Sequence, residues 1–170
     1  MTLRSTLDAF ELLSGPATGA DVAEVLDPLG IDLTVERVSG DRGATDFIST
    51  TVPGCEGASR GGTAPTLGVI GRLGGIGARP GSVGLVSDGD GAVAAVAVLM
   101  ELGRMAVRGD HLHGHVIVAT HICPDAPTEP HDPVPFMGTP VPMRVMNEME
   151  VRPGMEAIVA IDTTKGNRVL

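Results

Sequence analysis

Gly84 to Leu102 read GLVSDGDGAVAAVAVLMEL, a strand-like apolar run that meets two carboxylates and passes without a proline into an alanine-rich helix. Strand, acidic turn, helix is how α/β proteins set an Asp at the carboxyl edge of a sheet, where ligands collect. Asp88 and Asp90 stand at that turn. Glycines 81, 84, 89 and 91 let the backbone there take conformations a side chain would forbid. A plainer reading stands beside the functional one. Acidic residues before a helix cap its free N–H groups and favour the positive end of its dipole.

Outward from this stretch, residues 66–71 (TLGVIG), 82–87 (SVGLVS), 115–120 (HVIVAT) and 157–162 (AIVAID) are apolar without alternation. Such runs suit central strands covered by helices on both faces. Three of them end in polar groups, Ser87-Asp88, Thr120-His121 and Asp162-Thr163. Parallel neighbours would gather these groups at one edge. Toward the N-terminus, helical spacing puts Leu3, Leu7, Phe10 and Leu13 on one face. A second helix starts at Thr18 or Gly19, lines Val22, Val25, Leu26 and Leu29 on one side, and ends at Gly30. Ile31 to Val38 alternates as a half-buried strand, and Phe47 to Val52 is a further strand. Residues 53–65 read as a flexible Gly/Ser/Arg-rich loop. Residues 121–142 hold seven prolines, which stiffen a loop by fixing φ and limiting their neighbours. A short helix starts at Thr139-Pro140 and runs through Met149. The predicted fold is α/β: a three-layer arrangement of a mixed, largely parallel sheet with helices on both faces, in a single domain over residues 1–170.

The chain is long enough, at 170 residues with 42% hydrophobic content, to bury a real core. With no Trp, no Tyr and three Phe, that core must come from Val, Ile, Leu, Ala and Met. A formal charge of −9 and the lack of a basic cluster or aromatic platform argue against nucleic acid as a partner. No apolar run approaches the ~20 residues of a membrane span, and the charged start MTLRSTLDAFELL is unlike a signal peptide. Cys55 and Cys123 form no CxxC, so a reduced, cytoplasmic protein is the expectation.

The candidate chemistry clusters at the strand ends and in the proline loop. His121, Asp125, His131 and Asp132 offer imidazoles and carboxylates of the kind zinc takes in a tetrahedron; hydrogen bonds that merely fix the loop are the alternative. Cys123 follows a strand end and could be a nucleophile if His121 or a helix N-terminus stabilised its thiolate, although a free Cys is more often simply buried. Arg72 and Arg79 could grip a substrate carboxylate with paired hydrogen bonds, or could pair structurally with an Asp such as Asp88. His111, His113 and His115 alternate, so an extended backbone would present all three on one side, to a metal or to solvent. The glycine string GRLGGIGARPG has a superficial likeness to a dinucleotide fingerprint, but it leads into a strand rather than opening a helix.

Taken in this order, the chain resembles the co-catalytic zinc aminopeptidase and carboxypeptidase superfamily, nearest the glutamyl and deblocking aminopeptidases. LDAFELLSGPATGADVAEVLDPLGI is similar to the opening helix pair of those enzymes, and TDFISTTVPG to an early strand. SDGDGAVAAVAVLMEL resembles the segment whose first Asp bridges two zinc ions, and EAIVAIDTT the segment whose strand-end carboxylate binds one zinc. THICPDAPTEPHDPVPFMG resembles the signature of a bacterial family known only as a domain of unknown function. The resemblance implies a zinc-exopeptidase-like fold, with Asp88 as bridging ligand and Asp162 as terminal ligand. It also departs from the pattern. Arg72 falls on the first His seat and Gly74 on the Asp seat of the ligand motif, and Cys123-Pro124 on the seats of two glutamates. The final His has no counterpart.

The expectation is therefore a hydrolase of peptide or other small amide bonds with altered ligands. Zinc or another divalent metal would sit on Asp88, His121 and Asp162, with Asp125 and Cys123 as catalytic groups. Arg72, Asp90, His131 and Asp132 would contact substrate. The alternative is a non-hydrolytic protein in which Arg72 has replaced the metal and a small acidic or amino-acid-like ligand binds. The sheet also reads as the N-terminal part of a larger fold, completed by oligomerisation or by a second polypeptide.

Overall fold

The computed structural model describes residues 2–72, 89–130, 132 and 136–162. Five strands form one sheet in the order β1-β2-β4-β3-β7: β1 (Thr34–Gly40), β2 (Gly43–Val52), β3 (Leu67–Gly71), β4 (Val116–Ile122) and β7 (Ala157–Ile161). β3 runs parallel to both β4 and β7, whereas β2 is antiparallel to β1 and β4, so the sheet is mixed. The predicted strand over 82–87 lies outside the described residues.

β4 decides the layering because all seven of its residues are buried. Val116, Val118 and Ile122 pack on one face against α3 (Asp90–Val107), α2 (Gly19–Leu26) and α1 (Thr2–Leu13). On the other face Phe47 packs with Val141 and Met146 under α4 (Met143–Glu150). Alanines make the main contact between α3 and the sheet: Ala92, Ala95 and Ala97 are buried, which lets backbone approach backbone. At the tightest point a Cβ on Gly91 would lie 1.7 Å from the Arg72 carbonyl oxygen, so only glycine fits.

Three expectations shift, the first being the short helix, which starts at Met143 behind Pro142 rather than at Thr139-Pro140. α1 forms where helical spacing places it, but Leu3, Leu7 and Phe10 face outward, and Ala9, Leu13 and Ser5 are buried. The reason is small side chains: Ser5 and Ala9 let α1 close on α3, where Ser5 donates to Glu101 at 2.8 Å and accepts from Arg104 at 2.6 Å. β2 begins at Gly43, before Phe47, because Asp41 and Arg42 make a tight turn that Gly43 completes at φ 132°. That hairpin makes β1 an exposed antiparallel edge rather than a half-buried strand.

Among the described strands β7 is the opposite edge, with Ile158 and Val159 44% and 50% exposed. The proline loop folds back as a two-stranded ribbon, β5 (Thr128–Glu129) with β6 (Phe136–Met137). Among the described residues no helix is long and apolar enough to cross a membrane.

Candidate functional site

The register of the three parallel strands builds one edge. Gly71 of β3 pairs with Thr120 of β4 and with Ile161 of β7. The next residue on each strand is therefore Arg72, His121 or Asp162, side by side in adjacent strands spaced about 4.8 Å apart. Ile161 and Val69 pack against α3. Strand alternation then turns Arg72, His121 and Asp162 to the opposite face, the one α4 covers. The Arg72 amide donates to the Ile161 carbonyl at 2.9 Å, which fixes the β3–β7 end of the row. Thr120 Oγ1 donates to the Gly71 carbonyl at 2.7 Å and fixes the β3–β4 end.

The centre of this edge is a residue that sequence reasoning missed. Glu150, at the end of α4, is completely buried, yet it is a carboxylate. Its Oε2 accepts from Arg72 Nη1 at 2.7 Å, and its Oε1 lies 2.9 Å from His121 Nδ1. Asn147 Oδ1 takes a second bond from Arg72 Nη1 at 2.9 Å, while among the described residues Arg72 Nη2 reaches only Met143 Sδ at 3.0 Å. Met143, Asn147 and Glu150 lie at i, i+4 and i+7, one face of a helix. Only its own burial distinguishes Glu150 from Glu148, the other acidic residue of α4. The ring of Phe47 covers His121, with centroids 5.8 Å apart.

The remaining candidates divide. Asp162 and Asp90 are exposed, Asp162 beside Arg72 by register and Asp90 in the first turn of α3, against the end of β3. Asp125 and Asp132 are exposed in the proline loop. Asp88, Arg79 and His131 lie outside the described residues. Cys123 is a correction. It is buried just past the end of β4, its Sγ 3.5 Å from the Ala44 carbonyl oxygen. Burial pushes its thiol up to about 11, against which the Thr45 hydroxyl and the Asp125 backbone offer only partial relief. At neutral pH it is a neutral thiol, so it is no activated nucleophile.

Among the described residues at this edge Arg72 brings a guanidinium, which repels a cation, and both Glu150 oxygens and His121 Nδ1 are already engaged. Among the described residues only Cys55, Glu56 and His113, at the other end of the sheet, bring three metal-type ligand atoms within 4.8 Å of one another. A cavity of about 670 Å³ also opens away from the carboxyl edge, where Asp32, Thr50, His111 and Arg152 line it.

Against known proteins, a family model described as "Protein of unknown function (DUF1177)" matches residues 36–170. No curated protein matches the chain in sequence. Among solved structures, the bottromycin maturation enzyme BotP superposes with a TM-score of 0.52 at 18% identity, over 96% of this chain and 42% of that one. A structure of BotP in complex with Mn aligns with a TM-score of 0.46 at 20% identity, over 74% and 31%. A leucine aminopeptidase of Caenorhabditis elegans aligns with a TM-score of 0.45 at 12% identity, over 72% and 29%. The chain thus spans less than half the length of the structures it matches. What the chain shares with BotP is the fold, a mixed α/β sheet with helices.

Proposed function

We propose, for a chain that belongs to the DUF1177 family, that the carboxyl edge binds a small amino-acid-like ligand, with Arg72 rather than a metal ion as its cationic anchor. The observation that carries this reading is the Arg72–Glu150–His121 chain of contacts. A fully buried carboxylate holds the guanidinium in place through Nη1. The other arm, Nη2, faces a thioether, a weak acceptor that a ligand carboxylate would outcompete. Asp162 stands next to Arg72 on the same face and is exposed, a suitable partner for an ammonium group. Carboxylate on Arg72 and ammonium on Asp162 describe a zwitterion.

The test is thermal shift and calorimetry with free amino acids and dipeptides in the presence of a chelator. Saturable stabilisation is expected, weakened about tenfold or more in Arg72→Lys, which keeps the charge and loses the fork. Stabilisation that vanishes on chelation and returns with zinc or manganese would overturn the reading.

Amide hydrolysis is the second reading, and one observation favours it. The His121–Glu150 pair is a carboxylate orienting an imidazole, the arrangement a general base needs. Turnover of an aminoacyl amide that is lost in His121→Gln, with ligand binding kept, would support it.

A further inference from the structure

We infer that the loop after β2 and the segment entering β4 form a zinc-class metal site from Cys55, Glu56 and His113, with one coordination position open to solvent. This site does not rest on the ligand-binding reading above. Val52 pairs with Val116, and β3 and β4 start at this end, so the site lies across the length of the sheet from Arg72.

The donor set is specific. One thiolate, one carboxylate and one imidazole have their ligand atoms within 4.8 Å of one another, and His113 Nδ1 is already 3.0 Å from Glu56 Oε1. A thiolate with an imidazole selects zinc-like ions over magnesium or calcium, which prefer oxygen alone. Two negative charges and a neutral imidazole balance a divalent cation. The His113 and Glu56 side chains are 79% and 63% exposed, so an ion can enter from solvent and a water can complete a tetrahedron.

The backbone is prepared for this. Cys55 and Glu56 amides donate to the Leu112 and His113 carbonyls at 2.8 and 2.9 Å, which locks the two segments in register. The loop then closes on itself through the bond from Ala64 N to Glu56 O at 3.0 Å. Inside it lies the His115 ring, whose Nδ1 is 2.9 Å from the Gly54 amide. Close packing here requires glycine. A Cβ on Gly54 would lie 2.2 Å from the Gly114 carbonyl oxygen, and one on Gly57 would lie 2.2 Å from His115 Cε1. The ligands therefore project from a fixed platform, although sequence composition alone suggests a flexible loop.

Cobalt(II) added to the metal-stripped full chain tests the site, because a thiolate-to-cobalt charge-transfer band reports sulfur ligation directly. One equivalent is expected to bind with an apparent Kd of about 1 µM or tighter, and zinc should displace it. Cys55→Ser should abolish the band, and His113→Gln should weaken binding about tenfold or more. Cys123→Ala and Asp162→Asn should leave it intact. No band at equimolar cobalt, or a band that survives Cys55→Ser and disappears in Cys123→Ala, would overturn the inference. Because Cys55 is exposed, its variant is not expected to disturb folding.

Discussion

Removing Arg72 should cost far more than removing the pair it belongs to. Glu150 is completely buried and Arg72 is 18% exposed, with 2.7 Å between Nη1 and Oε2. At a charge separation of ~4 Å and an effective dielectric of about 20, their attraction is about 4 kcal/mol. Arg72→Met strands a buried carboxylate, and the expected loss of folding stability is about 3–5 kcal/mol. Glu150→Gln removes the buried charge and leaves Arg72 a route to water, so its cost should be nearer 1–2 kcal/mol. The double variant has neither charge to desolvate and should resemble Glu150→Gln. The coupling energy across the cycle then equals the Arg72→Met loss, about 3–5 kcal/mol. Urea denaturation at pH 7 gives all four values, provided the slopes agree. If Arg72→Met loses under about 1 kcal/mol, or if the two single effects simply add within about 0.5 kcal/mol, Glu150 is not held as a charged partner of Arg72. The site described here would then be wrong at its centre.

Alkaline pH should destabilise the protein through Cys123. Its folded pKa is raised from 9.0 to about 11, so its contribution is fully present below pH 9 and is lost as pH rises toward 11. Two pH units correspond to about 2–3 kcal/mol. The chain has no Tyr, and its only Lys is Lys165, so few other groups titrate there. Cys123→Ala should flatten that limb of a stability–pH curve, and an unchanged limb would contradict the assignment. Alkylation at pH 8 should modify Cys55 and spare Cys123, read by peptide mass. Gly91→Ala should cost about 3 kcal/mol or more, because its Cβ would overlap the Arg72 carbonyl oxygen; a thermal melt within a degree of the parent would refute that packing. Thr18 caps α2 in a reciprocal box with Asp21, whose pKa is lowered by the Thr18 hydroxyl and backbone. Thr18→Ala should therefore lose about 1 kcal/mol near neutral pH. The loss should shrink as pH falls through the Asp21 pKa, since a depressed carboxylate stabilises only where it is ionised.

Much of the edge was legible because strand ends leave a local mark. An apolar run that stops at His121 or Asp162 announces a buried strand meeting solvent, and the parallel register brings these positions level with Arg72. Cys123 was legible only as a residue type. One residue past the end of β4, its setting is decided by Ala44 and Thr45, which no nearby spacing reveals. The face of α1 was misread for a similar reason. Leu3, Leu7 and Phe10 share a face, but which face turns inward depends on whether Ser5 finds Glu101 and Arg104, 96 and 99 residues away.

Sequence by itself determined the α/β layering, the strand ends that carry polar groups, and the small residues that let α3 lie close on the sheet. Those features are periodic or compositional, and periodicity is a property of neighbours. Only the tertiary structure decided what occupies the edge. Glu150 lies 78 residues from Arg72 and 29 from His121, yet one buried carboxylate serves both. A carboxylate can be kept from water only where donors meet it from separate elements, and that meeting exists only once α4 has folded over β2 and β4, within reach of Arg72 past the end of β3.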